Sequence, residues 1–133
     1  MPKTIVWIED DTDIIDPVVR PLELAGHRFV RLHSVGEALQ ALDQIRGADL
    51  ILLDMLLPPG QNGREFGPYP GETLLRELRE RHHVEVPVIV LSVVTNAEVR
   101  ERVRALGAVD VIRKPIRPSE LKERVEAVFD AEP

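Results

Sequence analysis

The feature that most constrains this chain is a fivefold alternation of short apolar runs with longer segments of helical periodicity. The runs occupy residues 5–8, 29–32, 50–53, 88–91 and 109–112 and are rich in Ile, Val and Leu. A run with almost no polar side predicts a strand covered on both faces. Between and after them lie helical candidates near 13–25, 35–46, 72–82, 96–106 and 119–129. Strand alternating with helix predicts a parallel sheet, right-handed crossovers and helices on both faces, an α/β fold. At 133 residues the chain fits one domain spanning 1–133, long enough to bury a core.

Local chemistry marks several helix ends. Ser34 with Glu37, and Thr95 with Glu98, match the capping box, in which each side chain satisfies the other residue's orphan amide. Gly26 and Gly107 each follow a helical run and suit left-handed C-caps. Pro17 and Pro21 make the first helix the least regular: Pro17 fits a first turn, whereas Pro21 removes a backbone bond and predicts a kink. Residues 58–71 are dense in proline and glycine and read as irregular.

Composition narrows the classes of function. The net charge of −6 argues against nonspecific nucleic-acid binding by this chain. With no cysteine there is no disulfide framework and no thiolate chemistry. No apolar run is long enough to span a bilayer, and the N-terminus lacks the layout of a signal peptide, so the expected location is the cytoplasm, away from the membrane.

The first run ends in Glu9-Asp10-Asp11 and the third in Asp54. In a parallel sheet both ends lie on the carboxyl edge, where open α/β sheets bind ligands. If the two strands are neighbours, their ends lie one strand spacing apart, ~5 Å. Carboxylates that close repel one another unless a cation sits between them. Oxygen ligands without His or Cys favour Mg²⁺, which takes few protein ligands and keeps some waters. A plainer reading stays open on these residues alone: Asp10 or Asp11 caps the first helix, and Asp54 only ends a strand.

Two further strand ends bear on that choice. Ser92 closes the fourth run and Lys114 follows the fifth. A lone serine is ordinarily a turn or cap, and a lone lysine a solvated surface residue. Carboxylates, a hydroxyl and an ammonium gathered at one edge are what a phosphoryl group requires: an anionic nucleophile, a metal, a cation and a donor. Asp54 is the expected acceptor.

With those residues in place, the chain resembles the receiver domain of two-component response regulators over nearly its whole length. The matching pieces are Glu9-Asp10, Asp54 after Leu-Ile-Leu-Leu, Pro58, and the segment from Gly71 through Arg79. They continue with Pro87-Val-Ile-Val-Leu-Ser92, Gly107-Ala108 and Lys114-Pro115. Their order and spacing together are specific, although no single piece is. The resemblance implies a five-stranded doubly wound sheet in the flavodoxin-like order 2-1-3-4-5, with five helices.

It also implies roles. Asp54 would attack the phosphorus of a phosphohistidine in line, so the chain would catalyse its own phosphoryl transfer without being a conventional enzyme. Asp10, Asp54 and the main-chain carbonyl of Leu56 would ligate Mg²⁺, or Mn²⁺ in its place, with Glu9 acting nearby through water. Ser92 would hydrogen-bond a phosphoryl oxygen, Lys114 would pair with the group, and the Lys114–Pro115 peptide would be cis. Asp11 reads as a helix cap first and a tuner of the metal second. The implied partners are a histidine kinase or phosphotransfer protein and a downstream effector or output domain. A second copy docked through the fourth helix, fifth strand and fifth helix is a further implied partner.

The chain departs from the family pattern in four places. A glycine usually follows the acceptor by about eight residues, whereas Gly71 stands seventeen after Asp54, so 58–70 holds an insertion of about nine residues. Its Phe66 and Tyr69 either help cover the pocket or meet a partner, or they pack on the domain itself. Val111 replaces the aromatic that normally rotates inward on switching. Val93 narrows the approach to the pocket, and the apolar Leu56 and Val94 cannot orient an attacking water, which predicts slow self-dephosphorylation. Arg117 stands where a polar cap commonly precedes the last helix, leaving Ser119 and Glu120 for its first turn.

Arg100, Arg102, Arg104, Arg113 and Arg117 give one region a basic bias suited to an acidic partner or to simple solvation. His27, His33, His82 and His83 show no ligand spacing and are expected far from the strand ends. A second class of function is a phosphorylation-independent interaction module, against which the complete set of site residues counts. A haloacid-dehalogenase-like phosphatase would want a DxD pair after the first strand and a cap domain, and Asp11-Thr-Asp13 only superficially offers the pair. A flavodoxin-type cofactor binder would want a phosphate-cradling loop where this chain is acidic.

Overall fold

The computed structural model describes residues 2–59, 67–94 and 96–131, apart from the side chains of Thr12 and Ile14. Five strands, β1 (Thr4–Ile8), β2 (Arg28–Leu32), β3 (Leu50–Asp54), β4 (Val88–Ser92) and β5 (Ala108–Arg113), form one parallel sheet in the order β2-β1-β3-β4-β5. Among the described residues six helices connect and follow them: α1 (Thr12–Leu24), α2 (Val35–Gln40), α3 (Leu42–Arg46), α4 (Pro70–Glu80), α5 (Ala97–Ala105) and α6 (Pro118–Ala131). The fold is the expected doubly wound one.

Strand periodicity explains the two-sided core. Ile5, Trp7, Leu50, Leu52, Ile89 and Leu91 face α1 and α6, while Val6, Ile8, Ile51, Leu53, Val88 and Val90 face α2 to α5. Both faces are dry, which is why β1, β3 and β4 read as continuous apolar runs. In β5 the pairing slips between Val88 and Ile89, whose partners are Ala108 and Asp110. Val109 is the residue left over at this bulge and is 49% exposed.

Several helix boundaries differ from expectation. The segment 35–46 divides into α2 and α3, because Ala41 leaves the helical region at φ −113°, ψ 30°. That accounts for six helices rather than five. Helix α4 begins at Pro70, inside the segment expected to be irregular, since proline's fixed φ suits a first helical position. Asn96 caps α5 by accepting the Glu98 N–H at 2.8 Å, whereas Thr95, half of the expected capping box, lies outside the described residues. Ser34 does cap α2 through the Glu37 N–H at 3.1 Å, but the Glu37 carboxylate turns to the His33 N–H.

Helix α1 starts early, capped by Asp11, so Pro17 falls in its second turn and the helix runs through Pro21. Pro17 is exposed, and Pro21, four residues on, has no N–H to offer its carbonyl. Gly26 and Gly107 do take left-handed conformations, with φ of 97° and 90°.

Candidate functional site

The sheet order brings the acidic strand ends together, since β1 and β3 are neighbours with Ile8 opposite Leu53. Glu9 and Asp10 leave β1, Asp54 ends β3, and carboxylate oxygens of all three lie within 4.8 Å of one another. Glu9 is fully buried, Asp54 nearly so, and Asp10 is exposed. From the end of β5, Lys114 reaches across with its Nζ 2.5 Å from Glu9 Oε1 and 3.0 Å from Asp54 Oδ2. The Lys114–Pro115 peptide is cis, as expected.

Glu9 and Asp54 share one ammonium, with the Asp10 carboxylate beside them, and burial and crowding shift Glu9 and Asp10. Burial raises the Glu9 carboxyl, reinforced by Asp54, and Lys114 only partly opposes this. Burial and the neighbouring Glu9 likewise raise Asp10. Burial works against the Lys114 charge, but its bonds to Glu9 and Asp54 more than offset it and hold the ammonium above its ordinary value. The donor set is oxygen only, short of positive charge and open to solvent at Asp10. It fits a hard divalent cation that keeps part of its water shell.

Leu56 donates its N–H to Asp54 Oδ1 at 3.3 Å, and its side chain is 43% exposed. The buried Ser92 turns its hydroxyl to its own loop, accepting the Val94 N–H at 2.8 Å. Asp11 acts as a cap, taking the Asp13 N–H at 3.2 Å. Val93 stands 57% exposed beyond the end of β4, while Val111 is half-buried against the α2–α5 side of the core.

The long β3–α4 connection is anchored at both described ends. Val35 and Gly36, in the first turn of α2, donate to the carbonyls of Pro58 and Pro59 at 3.0 and 2.8 Å. Tyr69 packs against the domain's own core, and Phe66 lies outside the described residues. Gly71 then closes on the acceptor strand: its N–H donates to the Met55 carbonyl at 2.8 Å. A Cβ at Gly71 would stand 2.1 Å from the Asp54 carbonyl oxygen, so no other residue fits without movement of backbone.

Two sequence expectations are corrected here. His33 is not remote: its Nδ1 lies 3.1 Å from the Glu9 carbonyl oxygen. Because β2 is the neighbour of β1, the residue after β2 arrives at the same edge, a consequence of strand order that histidine spacing cannot reveal. Arg102 is not a free charge of the basic face, because its guanidinium is taken up by Glu72 of α4. Arg100, Arg113 and Arg117 remain there, lining a groove with Val111 beside Lys114–Pro115. Glu72 is buried and paired, and no spacing in the sequence marks it.

An open parallel sheet of this order, with acidic residues from β1 and β3 and a lysine after β5 at one edge, defines a doubly wound α/β module with a charged site at its carboxyl edge. The family model of the response regulator receiver domain matches residues 5–126, and the chain belongs to that family. It is 34% identical over 128 residues to the phosphate regulon transcriptional regulatory protein PhoB of Pseudomonas aeruginosa, covering 96% of this chain and 52% of that protein. Against PhoB of Escherichia coli strain K12 the identity is 36% over 131 residues, covering 97% and 52%. The chain thus spans about half the length of these curated relatives.

Among solved structures, the CheY-like receiver domain protein of Methanospirillum hungatei superposes with a TM-score of 0.77 at 25% identity, covering 98% of this chain and 95% of the other. The Francisella response regulator 1452 receiver domain gives 0.78 at 24% identity, covering 96% and 97%, and shows the fold alone. No helix among the described residues is long and apolar enough to cross a membrane.

Proposed function

We propose that this chain accepts a phosphoryl group on Asp54, in a Mg²⁺-dependent reaction, from a phosphohistidine on a histidine kinase or phosphotransfer protein. The observation that carries the reading is the convergence of Glu9, Asp10 and Asp54 at one edge, with Lys114 bonded to Glu9 and Asp54. In this reading a carboxylate oxygen of Asp54 attacks the phosphorus, the P–O bond forms as the P–N bond breaks, and the imidazole leaves with its electron pair. Asp10, Asp54 and the Leu56 carbonyl would hold the metal, with Glu9 beside it. When bound, Mg²⁺ supplies positive charge that offsets repulsion between the nucleophile and the phosphoryl oxygens. Lys114, already 3.0 Å from Asp54, moves its charge onto the phosphoryl group. Ser92 gives up its turn to Val94 and donates to a phosphoryl oxygen, carrying the β4–α5 loop with it.

The same reading makes residues 1–133 one receiver domain with an inserted loop near 58–70, acting in the cytoplasm. It relays its state to an effector or output domain, and the α5–β5–α6 face, where Arg100, Arg113 and Arg117 lie, is its contact surface for that partner or for a second copy. Leu56, two residues beyond Asp54, and Val94, two residues beyond Ser92, are apolar and offer no group to orient water. Self-dephosphorylation is therefore slow, and a phosphorylated half-life of seconds contradicts this part of the reading.

The test is incubation with Mg²⁺ and acetyl phosphate, followed by intact mass. A gain of one phosphoryl group that disappears in Asp54→Asn is expected. No gain, together with no Mg²⁺ binding, would instead favour an interaction module that works without phosphorylation.

A further inference from the structure

Glu72 is a buried carboxylate that phosphoryl transfer leaves unused. Arg102 of α5 grips it with a two-pronged bond, Nε to Oε2 at 2.8 Å and Nη2 to Oε1 at 3.0 Å. Arg76, one turn along α4, adds a third bond to Oε2 at 3.2 Å. This is the planar, bidentate geometry that makes an arginine–carboxylate pair directional as well as attractive. The Arg102 guanidinium holds the Glu72 carboxyl below the ordinary range despite its burial.

Its position gives the pair consequence. Glu72 follows Gly71 directly, and Gly71 rests on the backbone of Asp54 and Met55 with no room for a side chain. The first turn of α4 therefore touches the acceptor strand on one side and is tied to α5 on the other. Helix α5 in turn follows the loop that begins at Ser92. The chain leaving Asp54 and the chain leaving Ser92 each lead into one of two helices, and this pair joins those helices. Val111, a short branched residue, cannot carry a ring rotation between β4 and β5.

We propose that Glu72 and Arg102 are positioning residues: their ion pair seats the first turn of α4 against Asp54–Met55 and couples occupancy at Asp54 to α5. The inference rests on the phosphoryl-acceptor reading. By linkage, whatever stabilises the seated arrangement at one end must favour it at the other by the same factor.

The test uses Mg²⁺ with beryllium fluoride, a phosphoryl mimic, read by hydrogen exchange and by binding affinity. In the unmodified chain the mimic should slow exchange at 54–59 and alter it across α5. Arg102→Met keeps the apolar stem and removes the fork. In that variant the response at 54–59 should persist with affinity weakened about fivefold or more, while the response of α5 disappears. Arg102→Lys should restore part of both, which a purely structural loss would not predict. Should Arg102→Met fail to fold, Glu72→Gln carries the same expectation, since it keeps the shape and removes the charge. An α5 response undiminished in the variants, or absent from the unmodified chain while 54–59 responds, would overturn the coupling alone. No response anywhere in the unmodified chain would overturn the acceptor reading and the coupling with it.

Discussion

Two charge clusters, each built around a buried carboxylate, lie on either side of Gly71, and they are balanced in opposite senses. At the sheet edge Glu9 and Asp54 pair with Lys114 and Asp10 lies beside them, an excess of anions. One residue beyond Gly71, Glu72 alone receives Arg102 and Arg76, an excess of cations. The carboxyls of Glu9 and Asp10 are raised, and that of Glu72 is lowered. A carboxylate whose lone pairs are filled by guanidinium N–H groups is finished chemically and serves to hold helices. A set with too little positive charge is strained until a ligand supplies more. The contrast separates the part of the molecule that binds from the part that positions.

The boundary between the clusters should be the easiest place to do damage. Gly71→Ala puts a methyl group 2.1 Å from the Asp54 carbonyl oxygen and 2.7 Å from Met55 Cα, both of them backbone atoms. Overpacking of this kind costs about 1–3 kcal/mol, and the upper end is expected here because no side chain can swing aside. Denaturant unfolding measures it, and an unchanged midpoint would remove the close approach from the account.

Next in size is the response of the anionic cluster to a cation. Mg²⁺ that binds only the folded chain should stabilise it by about 2.7 kcal/mol at a hundred times its dissociation constant. Asp10→Asn should lose most of that gain, whereas Glu72→Gln should keep most of it. Equal loss in both variants, read from unfolding with and without Mg²⁺, would erase the distinction between the clusters.

The smallest effect expected is on the pH dependence of stability, and its sign differs between the clusters. Glu72 is lowered from 4.5, so its contribution is present above that value and is lost as pH falls through the folded value. Glu9 and Asp10 are raised from 4.5 and 3.8, so the folded state holds their protons more tightly. Their contribution is full below those values and is lost as pH rises through the raised ones. Unfolding midpoints followed from roughly pH 3 to pH 7 should show Glu72→Gln flattening the acid side and Glu9→Gln flattening the decline toward neutral pH. Slopes shifted in the same direction would contradict the opposed balance.

Much of this was legible in the sequence because burial on both faces leaves a strand no polar positions. The runs at β1, β3 and β4 could hardly be read otherwise, and they fixed where Glu9, Asp10, Asp54 and Ser92 must emerge. Lys114 followed from the same logic at β5. Strand order came from resemblance to the receiver family, not from periodicity. What stayed hidden depended on neighbours far away in sequence. His33 meets Glu9 only because β2 lies beside β1. Arg102 looked like one of several surface arginines, and nothing local distinguishes it from Arg100 or Arg104. Its pairing is set by Glu72 thirty residues earlier, across the α4–α5 packing. The division at Ala41 and the helical start at Pro70 were local and still missed, because alanine favours helix and a proline-glycine segment ordinarily does not.

The most direct measurement of the central claim is where the phosphoryl group goes. After reaction with acetyl phosphate and Mg²⁺, borohydride reduces an aspartyl phosphate to homoserine, which fragmentation mass spectrometry can locate. The account predicts homoserine at position 54 and at no other aspartate. A phosphoryl gain accompanied by homoserine elsewhere, or by no homoserine at all, would contradict it.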